Sequence, residues 1–360
     1  MCVFDLSIHV KKRHATSLQT VTRNLQTQMN IKQNIQLQPY NSFRTQATAK
    51  LFTEPQTVTE LSEILKNYPD ERKLIIGKGC NLFFTKTFDG LVIKPAVRGM
   101  HVISETDEWV EMEAGAAEDW DEFVDFCVKN NLSGIENLSF IPSTVGAAPI
   151  QNIGAYGTEV KDVITRVKTV EIATGNVRDF SNEECEFGYR ESIFKRTQGY
   201  VITSVVFRLQ KSFTYKEKYV DLSRELEGIA SPSLSQVRDA IIRIRTRKLP
   251  DHIALPNAGS FFKNPILTKE EKEKLQKKSV DAPIYNVGEN EFKTSAAFLI
   301  EKAGYKGKRR GMVGTYAHHA LIIVNYGTEN GCDILDFMHE IQDEEEKKFG
   351  VRLEPEVWVY

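Results

Sequence analysis

Residues 141–157, IPSTVGAAPIQNIGAYG, carry no charged side chain, in a chain where 27% of residues are charged. Pro142, Gly146, Pro149, Gly154 and Gly157 interrupt any long helix or central strand here, because proline lacks an N–H and glycine loses the most freedom on ordering. What remains is exposed main chain. Small uncharged residues let a large planar or phosphorylated ligand come close to it, and successive N–H groups in a turn make an anion nest. A second turn has the same character: GKGCN, residues 77–81, follows the apolar run KLII. It is not the GxGxxG of a dinucleotide fold, because Leu82 fills the last glycine position. Either turn alone reads as a plain tight turn. Together they suggest a diphosphate held mainly by backbone amides.

From residue 41 the chain alternates short strands and helices. TVTELSEILKNYP sets Thr57 and Glu60 in capping-box spacing and puts Leu61, Ile64 and Leu65 on one helical face. WVEMEAGA places Val110, Met112 and Ala114 on one side of a strand. Residues 117–130 repeat Trp120, Phe123, Val124 and Cys127 at helical spacing, and a hairpin turns near Gly175. After Leu209 a charged, irregular stretch (211–234) leads to a helix from about Ser235 that ends before Pro250. Helices follow near 268–277, 294–303 and 331–349, with the strand ALIIVN between the last two. The final segment VRLEPEVWVY reads as one alternating strand. Val351, Leu353, Pro355, Val357 and Val359 face one way, and Glu354, Glu356 and Trp358 the other.

A length of 360 residues suits two or three domains. The net charge of −2 gives no electrostatic footprint for nucleic acid, and no apolar run is long enough to span a bilayer. Five scattered cysteines without a CxxC suggest neither a disulfide framework nor a zinc knuckle, which fits a reducing cytoplasm. The first forty residues hold a single acid, Asp5, and overlap in composition with a transit peptide. We read residues 1–36 as a disordered extension, or as the result of a start placed ahead of Met29, and set them outside the fold.

Several chemistry-bearing residues stand apart in sequence. NAGSFFKNP, 257–265, sets Ser260 between a glycine and two phenylalanines, where a hydroxyl is either bonded in a turn or does chemistry. FGYRESIFK carries Arg190, RTRKLPD ends a helix with basic residues, and LEPEV carries Glu356. An Arg, a Ser and a Glu are common surface types, so their number alone says nothing. His318 and His319 lack a third ligand or an HExxH context, and a satisfied structural or surface role is expected for them.

Read together, and in this order, IPSTVGAAPIQNIGAYG, FGYRESIFK, RTRKLP, NAGSFFKNP and LEPEV resemble the UDP-N-acetylenolpyruvoylglucosamine reductase family, from about residue 41 to the C-terminus. KYVDL, between FGYR and RTRKLP, resembles the subtype with an extra tyrosine loop. The resemblance implies an α+β fold. A vanillyl-alcohol-oxidase-type FAD-binding domain of two α+β subdomains would span 41–212, followed by an α+β substrate-binding domain over 213–360. It assigns Gly77, Gly79, Cys80 and Asn81, and Pro142, Ser143, Val145, Gly146, Ala147, Gly154, Ala155 and Tyr156, to the FAD cofactor. The first turn has no histidine, so the FAD is expected to be noncovalent. Lys78, Cys80, Ser143 and Ala147 depart from the family's usual glycines and serine, which leaves backbone donors intact but removes a hydroxyl at position 80.

The same resemblance implies catalytic roles for Arg190, Ser260 and Glu356. NADPH would reduce the flavin, and the substrate UDP-N-acetylglucosamine enolpyruvate would take hydride at C3 and a proton from Ser260 at C2. Arg190 and a protonated Glu356 would stabilise the charge that develops. Tyr219, with Tyr215 as the alternative register, and Lys248 and Asn264 would hold the uridine and diphosphate. A monomer without metal is expected. Two alternatives are another FAD oxidoreductase of the same superfamily and a catalytically silent flavin or sugar-nucleotide binder.

Overall fold

The computed structural model describes residues 30–215 and 219–360. Its first sheet is mixed. Phe88–Ile93 runs parallel to both Thr48–Thr53 and Lys73–Ile75, and Lys32–Gln36 pairs antiparallel with Thr48–Thr53 at the edge. This last strand corrects the expectation that residues 1–36 lie outside the fold. Lys32 pairs with Phe52 and Gln36 with Thr48, and Ile35 packs on the apolar cluster around Leu37 and Phe52. The pairing was hidden because the segment's polar alternation reads as unpatterned. Residues 1–29, the rest of that expectation, lie outside the described residues.

The second sheet is antiparallel, in the order Val177–Ser181, Ile164–Glu171, Tyr200–Gln210, Trp109–Gly115, Met100–Glu105. Val110, Met112 and Ala114 face its core, as their alternation requires. The helix Trp120–Lys129, capped by Asp119, packs its Trp120–Phe123–Val124–Cys127 face on the same core. The helix Val58–Asn67 joins the two sheets. Thr57 caps it at the Glu60 N–H, and Leu61, Ile64 and Leu65 meet Leu91 and Ile93 of the first sheet and Val170 and Val201 of the second.

A third sheet, Asn257–Ser260, His319–Asn325, Val313–Tyr316, Arg309–Arg310, carries the helices Ala296–Lys302 and Gly331–Phe349. Its core is tied to the first half by aromatic rings. Phe43 meets Phe83 at 5.5 Å and Phe261 at 5.9 Å between centroids. The helix Leu234–Lys248 docks on the first half, where buried Arg238 pairs with Asp121 at 2.7 Å and with Asp125 at 3.3 Å. Within the stretch expected to be irregular, Val220–Glu225 forms a short helix.

The C-terminal segment does not form the single strand expected. Only Trp358–Val359 is a strand, parallel to Leu82–Phe83, while Phe262 and Pro355 make an isolated bridge. Pro355 has no N–H to continue a ladder. Val351, Leu353 and Val357 are buried as the alternation predicts, but Val359 is 37% exposed and Trp358 packs on the first sheet's cluster. No helix among the described residues is long and apolar enough to cross a membrane.

Candidate active site

A cavity of about 420 Å³ opens where the three sheets meet. Both uncharged turns line it. Residues 77–81 leave the strand Lys73–Ile75 with φ of +71° at Gly79, where a Cβ would come within 1.9 Å of the Tyr40 carbonyl oxygen. Only glycine fits. A Cβ on Gly77 would meet Thr144 Oγ1 at 2.9 Å, so the two turns lie against each other. A Cβ on Gly146 would collide with that of Ala116 at 2.5 Å, which lets the second turn settle onto the strand end.

The N–H groups of residues 77–81, and those of Ser143 and Thr144, donate to no atom of the described residues. An orphaned row of donors beside a cavity is a nest for an anion. These residues fit the diphosphate of FAD on that ground. Gly77, Gly79, Cys80, Asn81, Pro142, Ser143, Gly146, Ala147 and Gly154 all line the cavity. Val145, Ala155 and Tyr156 do not. Val145 is buried and spends its N–H on the Glu118 carbonyl, while Gly146 and Ala147 likewise bond within the protein. Burial pushes the Cys80 thiol up to about 11, so it stays protonated.

Arg190, Ser260, Asn264 and Glu356 come together in the same cavity from four segments, with Arg190 and Glu356 bonded directly to the two turns. Arg190 sits in a tight hairpin closed by Gly188 and Glu191. Its guanidinium donates to the Gly154 carbonyl at 2.8 Å and lies 3.3 Å from Glu356 Oε1. Glu356 is brought in by main-chain bonds: its N–H donates to Phe261 O at 2.8 Å, and its carbonyl accepts from Asn81 Nδ2 at 3.2 Å. Burial raises its pKa against the pull of Arg190, Lys195 and Lys263, which favours the neutral acid. Ser260 ends the strand Asn257–Ser260 and is exposed to the cavity, and its hydroxyl has no partner among the described residues. Gly259, with φ of +70°, makes the turn that aims it there, and Phe261 and Phe262 are buried behind it. Asn264 is fixed by accepting the Ala296 N–H at 3.0 Å.

Tyr219 and Lys248 lie outside the cavity lining. Lys248 pairs with Asp221 at 2.5 Å, and Tyr219, 47% exposed, meets the Tyr156 ring edge-on at 5.8 Å. Lys248 is one turn along the helix from Arg245, which does line the cavity. Tyr215 is different: its hydroxyl is buried and unpartnered among the described residues. Of the histidine pair, His318 is exposed beside the Tyr316 ring, as a surface role allows, while His319 is not fully satisfied. Among the described residues Nδ1 of part-buried His319 lacks a partner, and burial lowers the ring's pKa and so favours its neutral form, which limits the cost to one unpaired atom. Among the described residues no His, Cys, Asp and Glu cluster is arranged to hold a metal.

Sequence reasoning missed Gln151, whose Oε1 accepts from Asn81 Nδ2 at 3.0 Å, and Lys195, which lines the cavity and lies inside the quoted FGYRESIFK. It also missed Trp358, another lining residue, whose outward position in the final segment was the available signal.

Two family models match the chain: an FAD binding domain over residues 49–181, and the C-terminal domain of UDP-N-acetylenolpyruvoylglucosamine reductase over 251–360. A UDP-N-acetylenolpyruvoylglucosamine reductase of Flavobacterium johnsoniae is 44% identical over 334 residues, covering 91% of this chain and 99% of that protein. One from Bacteroides fragilis is 39% identical over 330 residues, with 91% and 99% covered. The crystal structure of the reductase from Thermus caldophilus aligns with a TM-score of 0.64 at 24% identity, over 92% of this chain and 99% of that one, so the expected α+β fold holds. With identity of this level along nearly the whole of both chains, the protein belongs to the UDP-N-acetylenolpyruvoylglucosamine reductase family.

Proposed function

We propose that the protein is an NADPH-dependent, FAD-containing reductase that converts UDP-N-acetylglucosamine enolpyruvate to UDP-N-acetylmuramate for peptidoglycan precursors. The observation that carries this reading is the meeting of Arg190, Glu356 and a Ser260 hydroxyl without a partner among the described residues in the cavity that an orphaned row of backbone donors also lines. Residues 77–81 with Ser143 and Thr144 would hold the FAD diphosphate. Bound FAD supplies the hydride, taken from NADPH and passed to C3 of the enolpyruvyl group.

Each wall residue then has one task. Arg190 holds the substrate carboxylate, where charge builds as C3 accepts hydride, and its planar fork suits a carboxylate. Glu356, whose carboxyl burial pushes toward the neutral form, donates in that form a hydrogen bond to the same charge instead of repelling it. Ser260 Oγ gives its proton to C2, and buried Phe261 and Phe262 keep water from competing. Asn264 in the cavity, with Lys248 and Tyr219 beyond its lining, would hold the diphosphate and uridine where the substrate extends past the cavity. The division into units over 41–212 and 213–360 is supported by the core around the third sheet, which the second unit builds apart from Phe43 and Phe83, with the helix Leu234–Lys248 docking back on the first unit.

The test is anaerobic. Enzyme loaded with FAD is reduced by NADPH, the enolpyruvyl nucleotide is added, and flavin absorbance is followed. Return of the oxidised spectrum supports the reading. Flavin that stays reduced with this nucleotide rejects it.

A further inference from the structure

Arg190 has φ of +53°, a left-handed conformation that residues other than glycine adopt at a cost. Such a residue persists only where its surroundings over-determine it. Part of that determination is plain. Gly188 and Glu191 exchange main-chain hydrogen bonds around Tyr189 and Arg190, at 3.0 and 3.3 Å. The guanidinium is anchored separately, at the Gly154 carbonyl and Glu356.

A third contact comes from a residue the mechanism has not used. Lys195 Nζ donates to the carbonyl oxygen of Arg190 itself, at 2.9 Å. Lys195 belongs to the short helix Ile193–Thr197, and that helix is pinned to the cavity wall. Ser192 caps it by accepting the Lys195 N–H at 3.3 Å, and donates its own hydroxyl to the Ile150 carbonyl at 2.6 Å. The ammonium therefore reaches Arg190 from a fixed base and fixes the peptide plane that follows it.

Lys195 also differs from its neighbours in charge. The other titratable groups around Glu356 and Lys195 are Arg190, Tyr189 and Glu191 on the hairpin, Lys263 and Glu354 on the bridged segments, and Lys293 on the strand Glu291–Thr294. Lys263 is neutralised by Glu354, and Lys293 lies over the Tyr189 ring at 3.4 Å. Lys195 forms no ion pair with any described carboxylate, and it lines the cavity half-buried.

We propose that Lys195 is a positioning residue for the reduction of substrate. Its ammonium holds the main chain of Arg190 so that the guanidinium stays between Gly154 and Glu356, and its charge, in no ion pair with a described carboxylate, tunes the proton on Glu356. The inference rests on the proposed roles of Arg190 and Glu356.

The test uses FAD-loaded enzyme and stopped-flow measurement of each half-reaction across pH, for Lys195→Met, Lys195→Gln and Lys195→Arg. Lys195→Met should leave flavin reduction by NADPH within about threefold and slow reoxidation by substrate by about 10- to 100-fold, the scale expected for a displaced binding group. The alkaline limb of reoxidation should move to higher pH, because a cation that favours the Glu356 carboxylate has gone. Lys195→Gln keeps a donor without the charge, so it should show the same limb shift with a smaller loss of rate. Lys195→Arg should restore both. An unmoved limb in both uncharged variants overturns the proposal, as does equal loss in the two half-reactions without rescue by arginine. Wild-type enzyme that fails to reoxidise would instead reject the functional reading on which the proposal rests.

Discussion

Glu345→Gln exchanges one oxygen for a nitrogen inside the helix Gly331–Phe349, and it should flatten the pH dependence of the protein's stability. Glu345 is fully buried, and neither carboxylate oxygen has a hydrogen-bond partner among the described residues. The nearest cation on its helix, Lys348, is engaged by Glu344 at 3.0 Å and by the Ala303 carbonyl at 2.8 Å. Burial pushes the Glu345 carboxyl from 4.5 up to about 8. The folded state therefore keeps a proton that the unfolded chain releases above its own pKa. Stability is greatest below the unfolded value and falls as pH rises, until the folded group also ionises. Each pH unit in that window removes about 1.4 kcal/mol, which sums to roughly 3 kcal/mol at neutral pH as a ceiling. The glutamine variant lacks this linkage while leaving a similar unpaired polar group. The assay is urea unfolding of both holoproteins at several pH values across the window. The gap between the two midpoints should be small at the acid end and widen steadily toward the alkaline end. Parallel curves would refute the reasoning and would mean that Glu345 finds water or a partner when folded.

Arg190→Lys should impair reoxidation of reduced flavin by substrate far more than flavin reduction by NADPH, because an ammonium cannot grip a carboxylate at two points; equal losses would indicate a folding or flavin defect. Lys78, on the first turn, is ion-paired with Asp119, which also caps the helix Trp120–Lys129. Lys78→Met should weaken FAD binding to apoprotein, and the salt dependence of its Kd should become shallower; an unchanged salt dependence would leave Lys78 a surface pair. A protein beginning at Leu37 should unfold several degrees below one beginning at Met29, since it loses the edge strand Lys32–Gln36; equal midpoints would show that the strand adds nothing.

Periodicity served well wherever one apolar face meets one core. Thr57 with Glu60, and Leu61 with Ile64 and Leu65, define a helix whose contacts are local and amphipathic, and the structure repeats them. The same logic misled at the C-terminus. Val351 to Val357 alternate because each packs on the third core, but Pro355 and the crossing to Leu82–Phe83 divide the segment between two partners. Lys32–Gln36 was invisible for a related reason. An edge strand with polar residues on both faces leaves little hydrophobic trace, and its pairing is carried by main chain. The two glycine turns were legible as donors because small uncharged residues are otherwise hard to explain in such number. Val145 shows the limit of that reading, since its N–H serves the fold. Lys195 acts through the carbonyl of another residue, and no side-chain pattern encodes such a contact.

Ser260 is where the account can be tested most directly. Its hydroxyl faces the cavity without a partner among the described residues, so alanine removes one oxygen and leaves the strand, Gly259 and the two phenylalanines as they are. The measurement is single-turnover reoxidation of prereduced Ser260→Ala enzyme by the enolpyruvyl nucleotide, beside flavin reduction by NADPH in the same preparation. The account predicts nearly normal FAD binding and flavin reduction, with reoxidation slowed by about two to four orders of magnitude, the usual size of a general-acid contribution. Cysteine at the same position should recover part of the rate, since a thiol also carries a proton. Reoxidation at close to the wild-type rate in Ser260→Ala would contradict the account and return Ser260 to an ordinary serine at a strand end.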